Sequence, residues 1–298
     1  MGYLQKPFLL LVLLSLTTLP CFVFCRPIEG HRRPFKYLQP LEGSRIGETV
    51  TGLHKLKNYL ARFGYLDYAH VATGTGKDDH FDSHLESALK LYQTTYKLNV
   101  SGVVDDATLD LMMTPRCGVP DFFNGSEAGI GTQWVHFPGN PKWPANKRNL
   151  KWGPLQADFP YDFAVPSIIF AAQKWGAVTS FLFEELPFEQ HLGADIKIGF
   201  FKGPHGDYQS FDGPRHILGH ATPPTVAFAH FDGDEKWGVS QSDDTVDFVS
   251  VALHELGHTL GMGHSMVPEA VMFATIPYGV QKRDLTQDDI DGIKNLYP

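Results

Sequence analysis

The stretch His254-Glu-Leu-Gly-His-Thr-Leu-Gly-Met-Gly-His264 decides how this sequence is interpreted. His254 and His258 stand four residues apart, so on a helix they lie one turn apart on the same face. Two imidazoles placed in this way can bind one small cation at about 2.0–2.1 Å each. Gly261 stands where that helix should end, because glycine readily adopts the left-handed conformation of a helix cap. The chain can then turn and present His264 as a third ligand.

Three histidine ligands leave a fourth position open, which is the pattern of a catalytic zinc site. Glu255 follows the first ligand, so its side chain points away from the metal but stays near it, as suits a base that acts on water. A bare His-Glu-x-x-His can occur by chance on a surface helix. Here the Gly-x-x-His extension is complete, and Asp247–Leu253 provides an apolar helical lead-in. We therefore predict that His254, His258 and His264 hold a catalytic zinc and that Glu255 is the general base.

These residues form the metzincin signature, and their surroundings resemble the matrixin branch, the matrix metalloproteinases. The resemblance implies a zinc endopeptidase that cuts internal peptide bonds before a bulky apolar residue. Met272, in Ala270-Val-Met-Phe273, is similar to the methionine of the turn expected beneath the metal. Ala274 departs from the family, which usually has proline there, and this difference bears on the shape of the adjoining substrate pocket.

The stretch Pro115-Arg-Cys-Gly-Val-Pro-Asp121, here called the cysteine loop, matches the cysteine switch of matrixins residue for residue. A thiolate is a strong zinc ligand. The resemblance therefore assigns Cys117 to the catalytic zinc in a latent zymogen, and it implies an ion pair between Arg116 and Asp121 that holds the loop. The alternative is a buried cysteine without a function.

A second group of possible metal ligands lies between two predicted strands. His205, Asp207, His220 and His230 offer three imidazoles and one carboxylate, enough to close a tetrahedral zinc site. Scattered histidines are more often surface residues, so spacing alone leaves both interpretations open. The same order of residues forms the structural zinc site of matrixins, and the resemblance therefore implies two zinc ions per chain.

Phe211-Asp-Gly-Pro214 begins a loop that resembles the calcium loop of the family, although an ordinary acidic turn is the alternative. By position, the resemblance implies three carboxylates and three backbone carbonyls as calcium ligands, namely Asp212, Asp232 and Glu235, and Gly213, Arg215 and Ile217. Arg215 stands where the family usually has glycine, so its charge should point away from the ion. The segment between His220 and His230 is shorter than in most matrixins, which gives little support for a second calcium site despite a possible ligand at Asp195.

The start of the chain reads as a secretory signal, because the basic Lys6 precedes the apolar run Phe8–Leu16. A membrane anchor is the rival interpretation, but the run is short for a span. Removal of residues 1–25 would leave Cys117 as the one cysteine of three. We expect a secreted, extracellular protein, located in the apoplast or cell wall if it comes from a plant. The net charge of −8 argues against nucleic-acid binding.

Between the signal and the zinc stretch, apolar residues recur at helical spacing in Glu48–Phe63 and Phe81–Tyr96, and Asp105 or Asp106 can cap a short third helix. Ser83 and Glu86 have the spacing of a capping box. This region resembles the peptidoglycan-binding-like propeptide domain of matrixins. The predicted fold class is α+β, with a metzincin catalytic domain of a mixed twisted sheet and three helices after a three-helix propeptide domain. We expect four segments, namely a signal (1–25), a leader (26–44), a propeptide domain with cysteine switch and activation linker (45–133) and a catalytic domain (134–298).

A form without a hemopexin-like domain looks most like the plant matrixins. The expected partners are protein or peptide substrates and an activating protease, with no nucleic acid, no stable membrane insertion after signal removal, and a monomeric state. Asn99-Val-Ser and Asn124-Gly-Ser are glycosylation acceptors by pattern. A rival function is a catalytically lapsed, zinc-stabilised protein that binds cell wall or matrix, but the intact Glu255 argues against it. A second rival is a metzincin of another branch, and Cys117 within its complete motif argues against it.

Overall fold

The computed structural model describes residues 35–67, 78–123, 134–207 and 209–298. The predicted signal, residues 26–34 of the predicted leader, the Asn124 acceptor and the linker that follows it lie outside these ranges. Within the described residues, no helix combines the length and the apolar character needed to cross a membrane.

The first part of the described chain is a helical module, Lys36–Met112. Its described residues form a 3-10 helix and three α-helices, Lys36–Leu41, α1 (Leu53–Arg62), α2 (Ser83–Thr95) and α3 (Asp106–Met112). Asp105 caps α3 by accepting a hydrogen bond from the Thr108 amide, as predicted. The predicted capping box at Ser83 is wrong by one residue, because Asp82 caps α2 and accepts from the Leu85 amide.

The remainder is built around a mixed sheet, as predicted. The strands are β1 (Arg116–Cys117), β2 (Trp134–His136), β3 (Asn149–Pro154), β4 (Leu182–Glu185), β5 (Ile196–Phe201), β6 (Ile217–Ala221), β7 (Ala227–Asp232), β8 (Trp237–Gly238), β9 (Val246–Asp247) and β10 (Met262–Ser265). Six of them form the main sheet in the order β1-β6-β7-β5-β3-β4, in which only the β6–β7 pair is antiparallel. Strand β2 pairs with β10, and β8 pairs with β9.

Three α-helices accompany these strands, as predicted, namely α4 (Tyr161–Val178), α5 (Phe248–Thr259) and α6 (Gln287–Leu296), and a 3-10 helix spans Phe188–Gly193. Trp175 of α4 is fully buried, and its indole nitrogen donates a hydrogen bond to the Leu253 carbonyl of α5 at 2.8 Å. This bond fixes α5, which carries His254 and His258, against α4.

Both ends of α5 are fixed by single residues. Asp247 caps its start by accepting from the Ser250 amide at 3.0 Å, and the Arg283 guanidinium binds the same carboxylate. The chain leaves the helix at Gly261, whose φ of 101° confirms the predicted left-handed cap. A β-carbon at Gly261 would overlap the Pro141 carbonyl oxygen, so glycine is required there for space as well as for conformation.

Two large apolar cores organise the described residues, and a small third cluster contains Cys117, Val119 and Phe137. One lies between the sheet and helices α4, α5 and α6. The other fills the helical module and also includes residues from the sheet region, and we call it the shared core. Its members from the sheet region are Phe211, Ile217, Met266 and Phe273. For example, the Tyr96 and Phe273 rings lie 5.5 Å apart.

Candidate metal centres and active site

Helix α5 and strand β10 bring three histidines together. The His254 and His258 ring centres are 4.7 Å apart, and the His264 ring lies 5.3 Å from the first and 4.9 Å from the second. All three side chains are buried. In the described part of the chain, the Nε2 atoms of His254 and His264 are buried without a hydrogen-bond partner.

The opposite ring nitrogens explain this orientation. Nδ1 of His254 lies 2.7 Å from the Val271 carbonyl oxygen, and Nδ1 of His258 lies 2.7 Å from the Met262 carbonyl oxygen. Carbonyl oxygens only accept, so each Nδ1 must carry the proton and each Nε2 lone pair faces the centre. Burial, together with the neighbouring His264, lowers the pKa of His254 to about 3, which keeps that imidazole neutral. Neutral imidazoles with free Nε2 lone pairs fit a metal ion.

Cys117 completes this group from the cysteine loop. Its side chain is buried, and Sγ lies 3.4 Å from Nε2 of His258. One ligand atom from each of Cys117, His254, His258 and His264 lies within 4.8 Å of the others. Burial and the neighbouring Glu255 carboxylate raise the pKa of the Cys117 thiol, so a thiolate here requires an adjacent cation. One sulfur and three imidazole nitrogens suit zinc.

Glu255 is fully buried against strand β6. A β-carbon at Gly219 would lie only 3.1 Å from Oε1 of Glu255, so the absent side chain at Gly219 makes room for this carboxylate. Burial raises the pKa of Glu255 to about 8. Met272 lies beneath α5, where a β-carbon at Gly257 would overlap its sulfur atom. The structure thus places both residues next to the three histidines.

The cysteine loop is held by backbone and charged contacts. The Arg116 guanidinium donates to Asp121 Oδ1 at 2.6 Å and lies 3.4 Å from the centre of the Phe63 ring. The hydroxyl groups of Tyr65 and Tyr96 donate to Asp121 Oδ2 at 2.7 and 2.9 Å. Burial alone would raise the pKa of Asp121, but the Arg116 charge and the hydrogen bond from His264 hold it well below its usual range. The expected ion pair between Arg116 and Asp121 is present.

A pocket with about 300 Å³ of empty volume, part of it open to solvent, lies beside Glu255 and Cys117. Its walls are mainly apolar and include Leu218, Val251, Val271, Ala274 and Ile276. Lys282 also lines it and donates to the Pro268 carbonyl at 2.6 Å and the Ala270 carbonyl at 3.2 Å. Burial lowers the pKa of Lys282 to about 8. Sequence reasoning missed Lys282, because no spacing or motif marks it.

The second ligand group forms where β6 and β7 pair. His220 and His230 are direct partners in that antiparallel register, and His205 and Asp207 come from the loop after β5. Asp207 Oδ2 lies 3.0 Å from His205 Nε2, 2.9 Å from His220 Nε2 and 3.0 Å from His230 Nδ1. The His205 ring is stacked between Phe201 and Phe211. The structure thus brings all four predicted residues into one group that fits a metal.

The predicted calcium loop is closed by its own hydrogen bonds. Asp212 Oδ1 accepts from the Ile217 amide at 3.2 Å, and Glu235 accepts from the Arg215 amide and from the Tyr278 hydroxyl. Asp232 Oδ2 is buried and has no hydrogen-bond partner among the described residues, and burial raises the pKa of this carboxyl to about 6. Gly213 and Arg215 both adopt positive φ.

Two departures noted in the sequence have structural counterparts. The Arg215 guanidinium lies over the Tyr278 ring, 4.8 Å from its centre, so its charge has a partner outside the loop. Asp195 accepts a hydrogen bond from the Lys151 amide at 2.8 Å and pairs with Lys147 at 2.8 Å. Both of its oxygens therefore have partners within the chain.

A mixed sheet, a buried His-Glu-x-x-His helix and a third histidine from the following strand define a zinc metalloendopeptidase. The chain belongs to the matrixin family, since residues 142–298 match the family model described as Matrixin. Residues 50–112 match the model of a putative peptidoglycan binding domain. These matches confirm the predicted fold class and the predicted enzyme class.

Curated relatives align with most of the chain. Metalloendoproteinase 5-MMP from Arabidopsis thaliana is 41% identical over 286 residues, which are 91% of this chain and 78% of the relative. Metalloendoproteinase 1 from Glycine max is 41% identical over 263 residues, 84% of this chain and 83% of the relative. Human matrilysin is 37% identical over 262 residues, 87% of this chain and 90% of the relative. Protein substrates follow from this enzyme class.

Proposed function

We propose that this zinc endopeptidase is made as a latent zymogen in which Cys117 occupies the fourth ligand position of the catalytic zinc. The observation that carries the proposal is the placement of the Cys117 sulfur in one ligand group with His254, His258 and His264. In this proposal, residues 45–133 are the propeptide and residues 134–298 are the catalytic domain.

The cysteine loop also occupies the groove in which a substrate backbone would lie. Strand β1 pairs with β6 on one side, and on the other side the Cys117 amide donates to the Ala274 carbonyl at 2.9 Å. The Gly118 amide donates to the Gly219 carbonyl at 2.8 Å. A substrate needs these same backbone groups to lie beside Glu255, so the propeptide excludes it by position as well as by the thiolate.

After the propeptide leaves, His254, His258 and His264 would hold the zinc. Zinc, when bound, polarises a carbonyl oxygen and makes water more acidic. Glu255 takes the proton from the attacking water on its carboxylate and delivers it to the departing amine nitrogen. Gly219 leaves the space in which that carboxylate can move, and the apolar pocket beside it accepts the side chain that follows the cleaved bond.

A second zinc, calcium and secretion also belong to this proposal. His205, Asp207, His220 and His230 would hold a second, structural zinc, because four ligands close a tetrahedral site. The loop from Asp212 to Ile217, with Asp232 and Glu235, would bind calcium through oxygen atoms, as calcium prefers. The signal-like residues 1–25 support secretion to the extracellular space.

A single substitution tests latency. Cys117→Ser in the full-length protein should cleave a fluorogenic peptide without treatment, whereas the parent should need an organomercurial or proteolysis between Phe122 and Trp134. Ser87→Ala, a change on the exposed surface of α2, is the matched control and should stay latent. If the Cys117→Ser protein were as inactive as the parent before treatment, the helical module would block the cleft by itself, and latency would not depend on Cys117.

A further inference from the structure

The three imidazoles of the catalytic group do not obtain their outer hydrogen bonds from the same part of the chain. His254 and His258 use the Val271 and Met262 carbonyls, both within the proposed catalytic domain. Nδ1 of His264 instead lies 2.7 Å from Oδ1 of Asp121, a residue 143 positions earlier, at the end of the cysteine loop. Of the three imidazoles, only His264 has a residue of the proposed propeptide as the partner of its Nδ1.

This contact is buried and well defined. The His264 and Asp121 side chains are 1% and 0% exposed. Arg116, Tyr65 and Tyr96 all donate hydrogen bonds to the same carboxylate, so it is an ionised acceptor with four donors around it. A carboxylate that only accepts requires the proton of His264 to be on Nδ1, and Nε2 is then left free for a metal.

We propose that Asp121 is a positioning residue for the catalytic metal, because it fixes the ring orientation and the tautomer of His264 while the propeptide is attached. The inference rests on the proposed zymogen. It gives the cysteine loop a second role beside that of Cys117, since the loop supplies one ligand to the metal and also the outer partner of another ligand. Outer partners of this kind typically change metal affinity by about 10–100-fold.

A consequence follows for activation. Removal of the propeptide takes away Cys117 and the Asp121 carboxylate together, so His264 loses its charged partner when the fourth position opens. The zymogen should therefore retain zinc better than the activated enzyme does, by more than the Cys117 thiolate alone would account for. The catalytic site should therefore bind zinc more tightly in the zymogen than in the activated enzyme.

The experiment uses full-length protein that carries Cys117→Ser and Glu255→Gln. The first change removes the thiolate ligand, and the second prevents self-cleavage, so the propeptide stays attached. Zinc release into excess chromophoric chelator is followed, and the catalytic phase is identified as the one that His254→Ala abolishes. In this background, Asp121→Ala should speed the catalytic phase about 10–100-fold, and Asp121→Asn, which keeps an acceptor oxygen, should have a smaller effect.

A matched control removes another hydrogen bond of the Asp121 carboxylate and leaves its contact with His264 in place. Tyr96→Phe removes one hydrogen bond to Oδ2, whereas His264 binds Oδ1, so zinc release should stay close to that of the background protein. If Tyr96→Phe and Asp121→Ala released zinc equally fast, general loosening of the loop would explain the result and the proposal would be wrong.

A second measurement does not depend on whether Asp121→Ala folds. With nitrogen-15-labelled histidine, zinc-loaded full-length protein should show a proton on Nδ1 of His264, and Asp121→Asn should shift that resonance more than those of His254 and His258. Equal shifts for the three histidines, or unchanged zinc release in a folded Asp121→Asn protein, would overturn the proposal. Both readouts are made without catalysis, so they remain decisive even if Cys117 proves not to cause latency.

Discussion

Each of the two ligand groups found among the described residues contains four residues, but the groups are assembled differently. His254, His258 and His264 come from a helix and the strand after it, and the fourth member, Cys117, comes from the cysteine loop. His205, Asp207, His220 and His230 all come from β6, β7 and the loop after β5. In the proposed zymogen, cleavage of the chain would remove Cys117 from the first group, whereas the second group would keep all four of its residues. The same ligand number therefore suits a switch in one place and a permanent cross-link in the other.

The largest expected effect concerns Glu255, which lies beside the first group and has no counterpart in the second. Glu255→Gln should lower peptide hydrolysis by the activated protein at least about 10²–10⁴-fold, because the base that takes the proton from water is lost. Zinc content and melting temperature should be unchanged. Glu269→Gln, at an exposed position close to the active site in sequence, is the control and should retain full activity. Undiminished hydrolysis by zinc-loaded Glu255→Gln would remove this carboxylate from the mechanism.

Chelation should separate the two groups in time. The activated protein should contain two zinc ions, and a mild chelator should abolish activity before it lowers the melting temperature, since a site with an open position exchanges faster than a closed one. Metal analysis and thermal denaturation at successive chelator concentrations provide the measurement. One zinc per chain in fully active protein would defeat the structural assignment of His205, Asp207, His220 and His230.

His220→Ala should lower the stability of the protein before it affects activity, the reverse of the order expected for chelation. It removes one of four ligands and leaves Asp207 with fewer partners, which should cost at least about 1–3 kcal/mol of unfolding free energy. Urea denaturation of the activated protein gives this number. His191→Ala changes a histidine of the same domain that belongs to neither group, and it should cost much less. Similar losses for the two variants would mean that His220 holds no metal.

The smallest expected effect comes from calcium. Added calcium should raise the melting temperature of the activated protein by a few degrees, as about 1 kcal/mol of binding free energy would do. Asp232→Asn should abolish that increase, because Oδ2 of Asp232 is a buried oxygen without a hydrogen-bond partner in the described structure. Asp284→Asn, at an exposed carboxylate, should leave the increase intact. An equal increase in both variants would place the calcium elsewhere.

The sequence predicted best the features that depend on local spacing. His254 and His258 are one helical turn apart, and Gly261 ends the helix because its conformation and its space both require glycine. The contact between His220 and His230 depends on strand register, which single-chain patterns specify less strongly. For that pair, the resemblance to a family carried the prediction.

Other features could not be predicted because they depend on contacts between distant residues or on a choice between equivalent neighbours. Nothing in the spacing of Asp121 and His264 indicates that they touch, and nothing marks Lys282 as part of the pocket. Asp82 and Ser83 are both residue types that cap helices, so the sequence alone does not choose between them, and in the structure Asp82 is the cap.

The shared core has a consequence for the surface of the activated enzyme. Phe211, Ile217, Met266 and Phe273 are buried at present against apolar residues of the helical module. In the proposed activation, release of that module would expose these side chains to water. Activation would therefore create an exposed apolar surface when the metal becomes accessible, and such a surface would favour the binding of unfolded or extended apolar segments of other proteins over compact, polar ones.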